Sequence, residues 1–342
     1  MNHLLPQLND LLQKAPDSSL WCIDENLAGF APAHYLGAIL TNRFDIADSF
    51  AQRENLHFSD FDFSPFPEGT LSWVLFRIAK EKAINLHILS EALPRLKEDG
   101  RLFLLGYKNE GILSLASRME ESGGCKALLQ KMGKQLYLLE VSATPAQQET
   151  STAEEKHDYA SLQRIAMEGL DFYTKPGIFG WNKIDTGSRL LMDVAEQHHL
   201  PTPEEKVLDL GCGYGYLSIR AHQMGFRQID ATDNNAAAIH ACRQNFSLHN
   251  ISGSVLADDM ASHNREKYEV ILCNPPFHQG FSHHKELTAA FLRRLSCLLA
   301  RKGEIFLVTN QFIAVERYAT TLFSSVEPLE KSVGFKVIRL SR

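Results

Sequence analysis

The chain has 342 residues, 44% of them hydrophobic and 22% charged, with a formal net charge of −6. That length accommodates two domains with their own cores, and the net negative charge excludes a uniformly basic nucleic-acid coat. No apolar run approaches the ~18–20 residues of a membrane-crossing helix. Met1 to Lys14 has no basic segment followed by an apolar block, so no secretory signal is expected. Six cysteines, at 22, 125, 212, 242, 273 and 297, stand apart with no Cys-x-x-Cys pair. They predict free thiols in a reducing, cytoplasmic setting and argue against a zinc ribbon or disulfide frame. The charge is uneven. Residues 1–150 hold 14 Lys+Arg against 19 Asp+Glu, and residues 251–342 hold 12 against 9. An RNA substrate would need a local basic face.

Residues 1–142 read as one α/β domain. Ser19 to Asp24, Ala38 to Asn42, Leu56 to Phe63 and Ser72 to Arg77 are strand candidates. Glu81 to Lys97 has helical spacing through Ile84, Ile88, Leu89, Ala92, Leu93 and Leu96, and Asp99-Gly100 reads as its stop. Arg101 to Leu105 then predicts a strand, Ile112 to Met119 a helix and Gln135 to Val141 a strand. Alternation of this kind implies a mainly parallel sheet. Residues 143–157 lack any large apolar residue and read as a linker.

Residues 158–342 read as a second α/β domain. Phe172 to Phe179 leads to a helix start at Asp185-Thr186-Gly187-Ser188. Lys206 to Leu210 is a buried strand, followed by Gly211-Cys212-Gly213-Tyr214-Gly215 and a helix over Tyr216 to Met224. Gln228 to Thr232 is a strand ending on Asp233, Asn235 to Leu248 a helix, and Ser254 to Ala257 a strand ending on Asp258-Asp259. Tyr268 to Leu272 is a strand stopped by Asn274-Pro275-Pro276-Phe277. A helix over Glu286 to Leu299, a strand over Glu304 to Thr309, a helix near Val315 to Phe323 and an apolar segment, Phe335 to Leu340, complete the chain.

The halves echo each other. Gly100-Arg-Leu-Phe-Leu-Leu105 matches Gly303-Glu-Ile-Phe-Leu-Val308, each after a Leu-rich helix that follows an apolar strand. The first copy has Asp24-Glu25-Asn26-Leu27-Ala28-Gly29 where the second has its glycine cluster, and nothing equivalent to Asn-Pro-Pro-Phe. Chemistry is expected in the second half alone.

The glycine loop suits a backbone that turns sharply and approaches a ligand. Its Gly-x-Gly-x-Gly spacing differs from the Gly-x-Gly-x-x-Gly of dinucleotide folds. Asp209 before it would repel a pyrophosphate and suits a cationic amino-acid group. Asp233 falls where a carboxylate binds ribose hydroxyls. Asp258 or Asp259 can accept from an adenine amino group. Three acids at successive strand ends therefore fit an adenosyl ligand with a cationic tail. Asn274-Pro275-Pro276-Phe277 holds a carboxamide, two proline carbonyls and an aromatic face in fixed relation. It can accept two hydrogen bonds from an exocyclic amine and stack on the ring that bears it. By itself such a motif is also an ordinary strand-ending turn; beside the glycine loop it reads as an acceptor site.

On these residues the second half resembles class I S-adenosylmethionine-dependent methyltransferases of the Asn-Pro-Pro-[Tyr/Phe] group. The whole chain resembles the bacterial ribosomal RNA guanine-N2 methyltransferases, most closely those of the small subunit. Pro176-Gly177-Ile178-Phe179 with Asp185-x-Gly187-Ser188-x-Leu190-Leu191, Asp209 to Gly215, and Asn274 to His278 carry the likeness. The resemblance implies two Rossmann-like domains in tandem, each a mainly parallel seven-stranded α/β sheet, the first having lost its cofactor site. It implies S-adenosylmethionine bound by Asp185, Asp209, Gly211, Gly213, Gly215, Asp233, Asp258 and Asp259. It also implies in-line transfer to guanine N2 without a base, the amine being oriented by Asn274, Pro275, Pro276 and Phe277. The expected partner is 16S rRNA or the small subunit, for a monomer without membrane or metal. Phe179-Gly180-Trp181-Asn182 departs from relatives, which usually have Phe-Ser and a charged residue there.

Alternatives within the same group are a large-subunit guanine, adenine N6 or a protein glutamine; a non-enzymatic RNA-binding protein with a relic pocket is a further one. Cys273 as a nucleophile lacks an activating base, and His278, His283 and His284 lack a completing metal ligand. Arg293, Arg294, Arg301, Lys302, Lys336, Arg339 and Arg342 are candidates for phosphate contacts.

Overall fold

The computed structural model describes residues 3–27, 29–30, 32, 34–122, 125–143, 159–275, 284–332 and 334–342. The chain divides into two compact units, Met1–Ser161 and Leu162–Arg342. Tyr159 is buried in the core of the first and donates its hydroxyl to Asp60 Oδ1 at 2.5 Å, so that unit extends past residue 142.

The first unit contains α1 (Leu4–Lys14), β1 (Ser19–Ile23), β2 (Ala38–Thr41), α2 (Phe44–Ser49), β3 (Leu56–Phe58), β4 (Leu71–Arg77), α3 (Lys82–Ala92), β5 (Leu96–Tyr107), α4 (Ile112–Ser122), β6 (Cys125–Lys131) and β7 (Leu136–Ala143). Its sheet order is β3-β2-β1-β4-β5-β7-β6, parallel except for the pairs made by β7. Alternate residues face opposite layers. Leu20, Cys22, Val74 and Phe76 pack with Ile84 and Ile88 of α3 and Ile112 and Leu115 of α4. Trp21, Ile23 and Leu75 pack with Leu4, Leu8 and Leu12 of α1 and Ile46 of α2. Both faces are covered, which is why these strands read as nearly unbroken apolar runs.

The second unit opens on the antiparallel hairpin β8 (Gln163–Met167) and β9 (Leu170–Thr174). Then come α5 (Thr186–His198), β10 (Lys206–Leu210), α6 (Tyr216–Met224), β11 (Gln228–Asp233), α7 (Ala236–Leu248), β12 (Val255–Ala257), β13 (Tyr268–Cys273), α8 (His284–Leu298), β14 (Leu299–Asn310), α9 (Val315–Ala319), β15 (Ser325–Ser332) and β16 (Phe335–Ser341). The sheet order, β12-β11-β10-β13-β14-β16-β15, repeats that of the first unit. Two seven-stranded, mainly parallel sheets in tandem are the predicted fold class.

The repeat extends to register. Leu71 pairs with Leu96 and Trp73 with Arg101, across a shift; Tyr268 pairs with Leu299 and Val270 with Glu304, across a shift at the same place. Trp21 pairs with Leu75 and Asp209 with Leu272, so Trp21 occupies the position of Asp209. By the same register Thr41 stands for Asp233 and Arg77 for Asn274. Trp21 is fully buried, edge-to-face with Phe30, Tyr35 and Phe50. Arg77 is held by Glu110 at 2.5 Å. An indole and a part-buried ion pair thus stand where the second unit has a carboxylate and a carboxamide.

Several boundaries differ from expectation. β5 begins at Leu96, not Arg101: the short turn Leu93–Arg95, with Pro94 inside it, ends there, and Leu96 already pairs with Leu71. Gly100 lies inside the strand: a Cβ there would come within 2.9 Å of the Leu71 carbonyl. Gly303 does the same against the Tyr268 and Glu269 carbonyls in β14. β3 spans three residues of the expected Leu56 to Phe63. The edge strands β6 and β15, and the β8–β9 hairpin, were not anticipated.

Candidate active site

The site lies at the C-terminal ends of β10, β11, β12 and β13, where a parallel sheet places its ligands. β10 ends at Leu210, and Gly211, Gly213 and Gly215 carry the chain into α6 with φ of +77°, +56° and +90°. Only glycine takes such angles without strain. A Cβ on Gly211 or Gly213 would meet nothing within 4 Å, so bare backbone faces open space. Gly215 is tighter: a Cβ there would sit 2.9 Å from Cys242 Sγ.

Asp209 is fully buried behind this loop. Its Oδ2 accepts from Ser218 N at 3.0 Å and from Ser218 Oγ at 2.6 Å, which ties β10 to α6. Its Oδ1 is buried with no hydrogen-bond partner among the described residues. Burial pushes its carboxyl up to about 7 against the opposing pull of the two Ser218 bonds. Asp233 closes the loop from the next strand. Its Oδ2 accepts from Gly213 N and its Oδ1 from Asn235 N, both at 2.8 Å.

Asp258 and Asp259 differ. Asp258 is buried and accepts from Ser262 Oγ at 3.0 Å and His263 N at 3.1 Å, fastening the turn after β12. Asp259 Oδ1 accepts from Asn234 Nδ2 at 3.1 Å, beside Asp233. These residues fit an adenosyl ligand with a cationic tail: an open backbone cradle, a buried carboxylate oxygen lacking a partner, and acids on two adjacent strand ends.

Asn274 follows β13 directly. Its Nδ2 donates to Asp185 Oδ2 and to Ser188 Oγ, both at 2.8 Å. Asp185 is the N-cap of α5, and its Oδ2 also accepts from Ser188 N at 2.8 Å. Gly187 makes this corner possible, since a Cβ there would sit 3.0 Å from the Phe335 ring and 3.1 Å from Asp185 Oδ2. Pro275 is buried. Pro276, Phe277, His278 and His283 lie outside the described residues.

Sequence reasoning missed Asn245, which is fully buried in α7. Its Oδ1 accepts from Tyr173 N at 2.6 Å, and its Nδ2 donates to the carbonyls of Tyr173 at 2.9 Å and Tyr214 at 2.7 Å. It fastens the end of β9 to the glycine loop. The available signal was a polar residue on the apolar stripe of Ala238, Ala241 and Cys242. The roles of Ser188 and Ser218 were missed too. Cys273 is fully buried and burial raises its thiol, so it makes a poor nucleophile.

The expected phosphate contacts need correction. Arg294 donates to the carbonyls of Ala261 and Asn264. Lys336 is buried against Glu316, and Arg339 pairs with Glu304 and Glu327. These three side chains hold the fold. Arg301 and Arg342 line a cavity with Lys267 at the start of β13 and β14. That is the opposite end of β13 from Asn274, roughly 20 Å away at ~3.3 Å per residue.

The description "Methyltransferase small domain" matches residues 169–339, half of the chain. The chain belongs to this family. Curated relatives named "Ribosomal RNA small subunit methyltransferase C" match beyond the family region into the first unit. That of Marinomonas sp. is 25% identical over 82% of this chain and 77% of its own length. That of Colwellia psychrerythraea is 26% identical over 78% and 73%. Among solved structures, the Thermus thermophilus 16S rRNA N2 G1207 methyltransferase (RsmC), in complex with AdoMet and guanosine, has a TM-score of 0.79 at 20% identity, over 98% of this chain and 92% of that one. The likeness shows the fold, two units of this type in one chain, and nothing finer.

Proposed function

We propose that the chain transfers a methyl group from S-adenosylmethionine to the exocyclic N2 of a guanine in small-subunit ribosomal RNA. The observation that carries the transfer is Asn274. Its amide nitrogen is fixed by Asp185 and Ser188 at the end of the strand next to the glycine loop. The RNA and the guanine are supported by the names of the relatives and of the Thermus enzyme.

The cofactor, when bound, supplies an electrophilic sulfonium methyl. Gly211, Gly213 and Gly215 leave room for it, Asp209 offers a buried negative charge to a cation, and Asp233 offers a carboxylate to ribose hydroxyls. Of the two acids after β12, Asp259 is the better adenine contact, because it is half-buried and bonded to Asn234, next to Asp233, whereas Asp258 is buried against Ser262 and His263. Asn274 Oδ1 and the Pro275 carbonyl accept the amine hydrogens and aim the nitrogen lone pair. Phe277 stacks on the base, a role that rests on the family resemblance. An amine nitrogen attacks as the neutral species and loses its extra proton to solvent after the transfer, so no residue need remove one beforehand. Catalysis is then chiefly orientation, which supplies several kcal/mol. The guanine enters unpaired or flipped, since N2 in a duplex is shielded by its neighbours.

The first unit carries no cofactor in this reading, because Trp21, Thr41 and Arg77 replace Asp209, Asp233 and Asn274. Calorimetry should find one S-adenosylmethionine per chain. Asp233→Ala should weaken it by ~1–3 kcal/mol through lost hydrogen bonds; two equivalent sites would refute the assignment.

Nucleoside mass spectrometry of ribosomal RNA from a strain lacking the chain tests the substrate. One N2-methylguanosine should disappear from 16S rRNA. Its loss from 23S rRNA, or no loss, would remove the small-subunit assignment.

A further inference from the structure

An asparagine side chain has one accepting face and one donating face, and either can be turned toward a substrate. Here the choice is forced. Asp185 Oδ2 already accepts from Ser188 N, and the oxygen that caps the helix presents lone pairs to its neighbours, so the group that Asn274 turns toward it is its NH2. Ser188 Oγ takes the second bond from the same nitrogen. Both Nδ2 hydrogens are therefore used inside the protein, and Asn274 offers the substrate Oδ1 alone.

We infer that Asp185 and Ser188 are positioning residues that fix the polarity of the acceptor site, making it select an atom that bears N–H donors. This rests on the reading of Asn274 as the group that meets the acceptor amine. A free carboxamide would rotate and present NH2 about as readily. It would then hold a carbonyl oxygen, such as O6 of guanine or O4 of a uracil, in place of an amine. With both hydrogens tied, a carbonyl oxygen there would face Oδ1 lone pair to lone pair. The α5 N-terminus thus does two jobs with one carboxylate oxygen: it caps the helix and sets the orientation of a side chain 89 residues away.

The same geometry separates this role from direct cofactor contact. Asp185→Asn can keep an oxygen where Oδ2 stands and accept from both Ser188 N and Asn274 Nδ2. Asp185→Ala cannot. Ser188→Ala removes one bond to Asn274 and keeps the N-cap.

The test uses the full chain with three variants, Ser188→Ala, Asp185→Asn and Asp185→Ala. At saturating S-adenosylmethionine, Ser188→Ala should lower kcat about 3- to 10-fold, with Tm and cofactor Kd unchanged. Asp185→Ala should lower kcat about 10- to 30-fold, and Asp185→Asn should recover most of it. In substrate-free protein, the two Asn274 side-chain amide protons should be separately resolved and slow to exchange. They should collapse toward free-amide behaviour in Ser188→Ala and Asp185→Ala. That readout needs no acceptor, so it stands even if guanine is the wrong base. Equal loss of cofactor affinity in Asp185→Asn and Asp185→Ala, with wild-type kcat at saturation, would make Asp185 a cofactor contact and overturn the proposal. So would an Asn274 amide signal unchanged in Ser188→Ala and Asp185→Ala.

Discussion

Asn274→Ala should lower turnover by roughly a hundredfold or more and leave S-adenosylmethionine affinity within about twofold. In the proposed mechanism the carboxamide meets the acceptor, while residues of β10, β11 and β12 hold the donor. Losing Oδ1 removes the group that aims the amine, so the loss appears in kcat and not in cofactor Kd. Stability should change little, because Asn274 is part-exposed and water can replace its bonds to Asp185 and Ser188. Asn274→Asp should be as inactive for a further reason: it sets a second carboxylate 2.8 Å from Asp185 Oδ2. A normal turnover number in Asn274→Ala would remove the residue from the mechanism.

The second large effect concerns Asp209. Its carboxyl titrates near 7 in the folded, ligand-free chain because it is desolvated, against about 3.9 when unfolded. Between those values the folded state holds the extra proton, so stability falls as pH rises from about 4 to about 7. Above that window the whole cost of burying the charge is present, and below it the cost is absent. Asp209→Asn keeps an acceptor for Ser218 and carries no charge. It should stabilise the second unit by ~1–3 kcal/mol at pH 8, below the ~4 kcal/mol that three pH units represent. It should gain little at pH 4 and lose the slope between. In the proposed binding mode the Asp209 charge is set against the cationic end of S-adenosylmethionine, so the same change should weaken the cofactor tenfold or more. Denaturation curves at pH 4 and 8, with and without the substitution, check the first part. A slope that persists in Asp209→Asn would place the titration elsewhere.

How much of this was legible depends on where the constraint lies. The strands β1, β4, β10 and β13 are covered on both faces and read as apolar runs. The glycine loop was legible because three positive-φ positions in five residues strongly favour glycine. Edge strands were not. β6 and β15 are largely exposed, so their composition is that of a surface. The β8–β9 turn puts Glu168 at φ 52° and Gly169 at φ 81°, a left-handed pair for which Asn-Gly is the usual signal. Asp99-Gly100 was read as a helix stop, but its glycine serves the close approach of two strands. The strand-end placing of the acids at 209, 233, 258 and 259 was legible, while their differing hydrogen-bond partners, Ser218, Gly213, Ser262 and Asn234, were not. The link between Asp185 and Asn274 spans 89 residues and no local pattern carries it. Nor could spacing show that Arg294, Lys336 and Arg339 are held by internal partners.

The most direct measurement is the identity of the methylated nucleoside. Small subunits lacking the modification would be incubated with the chain and labelled S-adenosylmethionine, and their RNA digested to nucleosides. All label is expected in N2-methylguanosine. Label in N6-methyladenosine would contradict the guanine assignment and leave the amine mechanism of Asn274 standing. Label in 5-methylcytidine or in a ribose would contradict both.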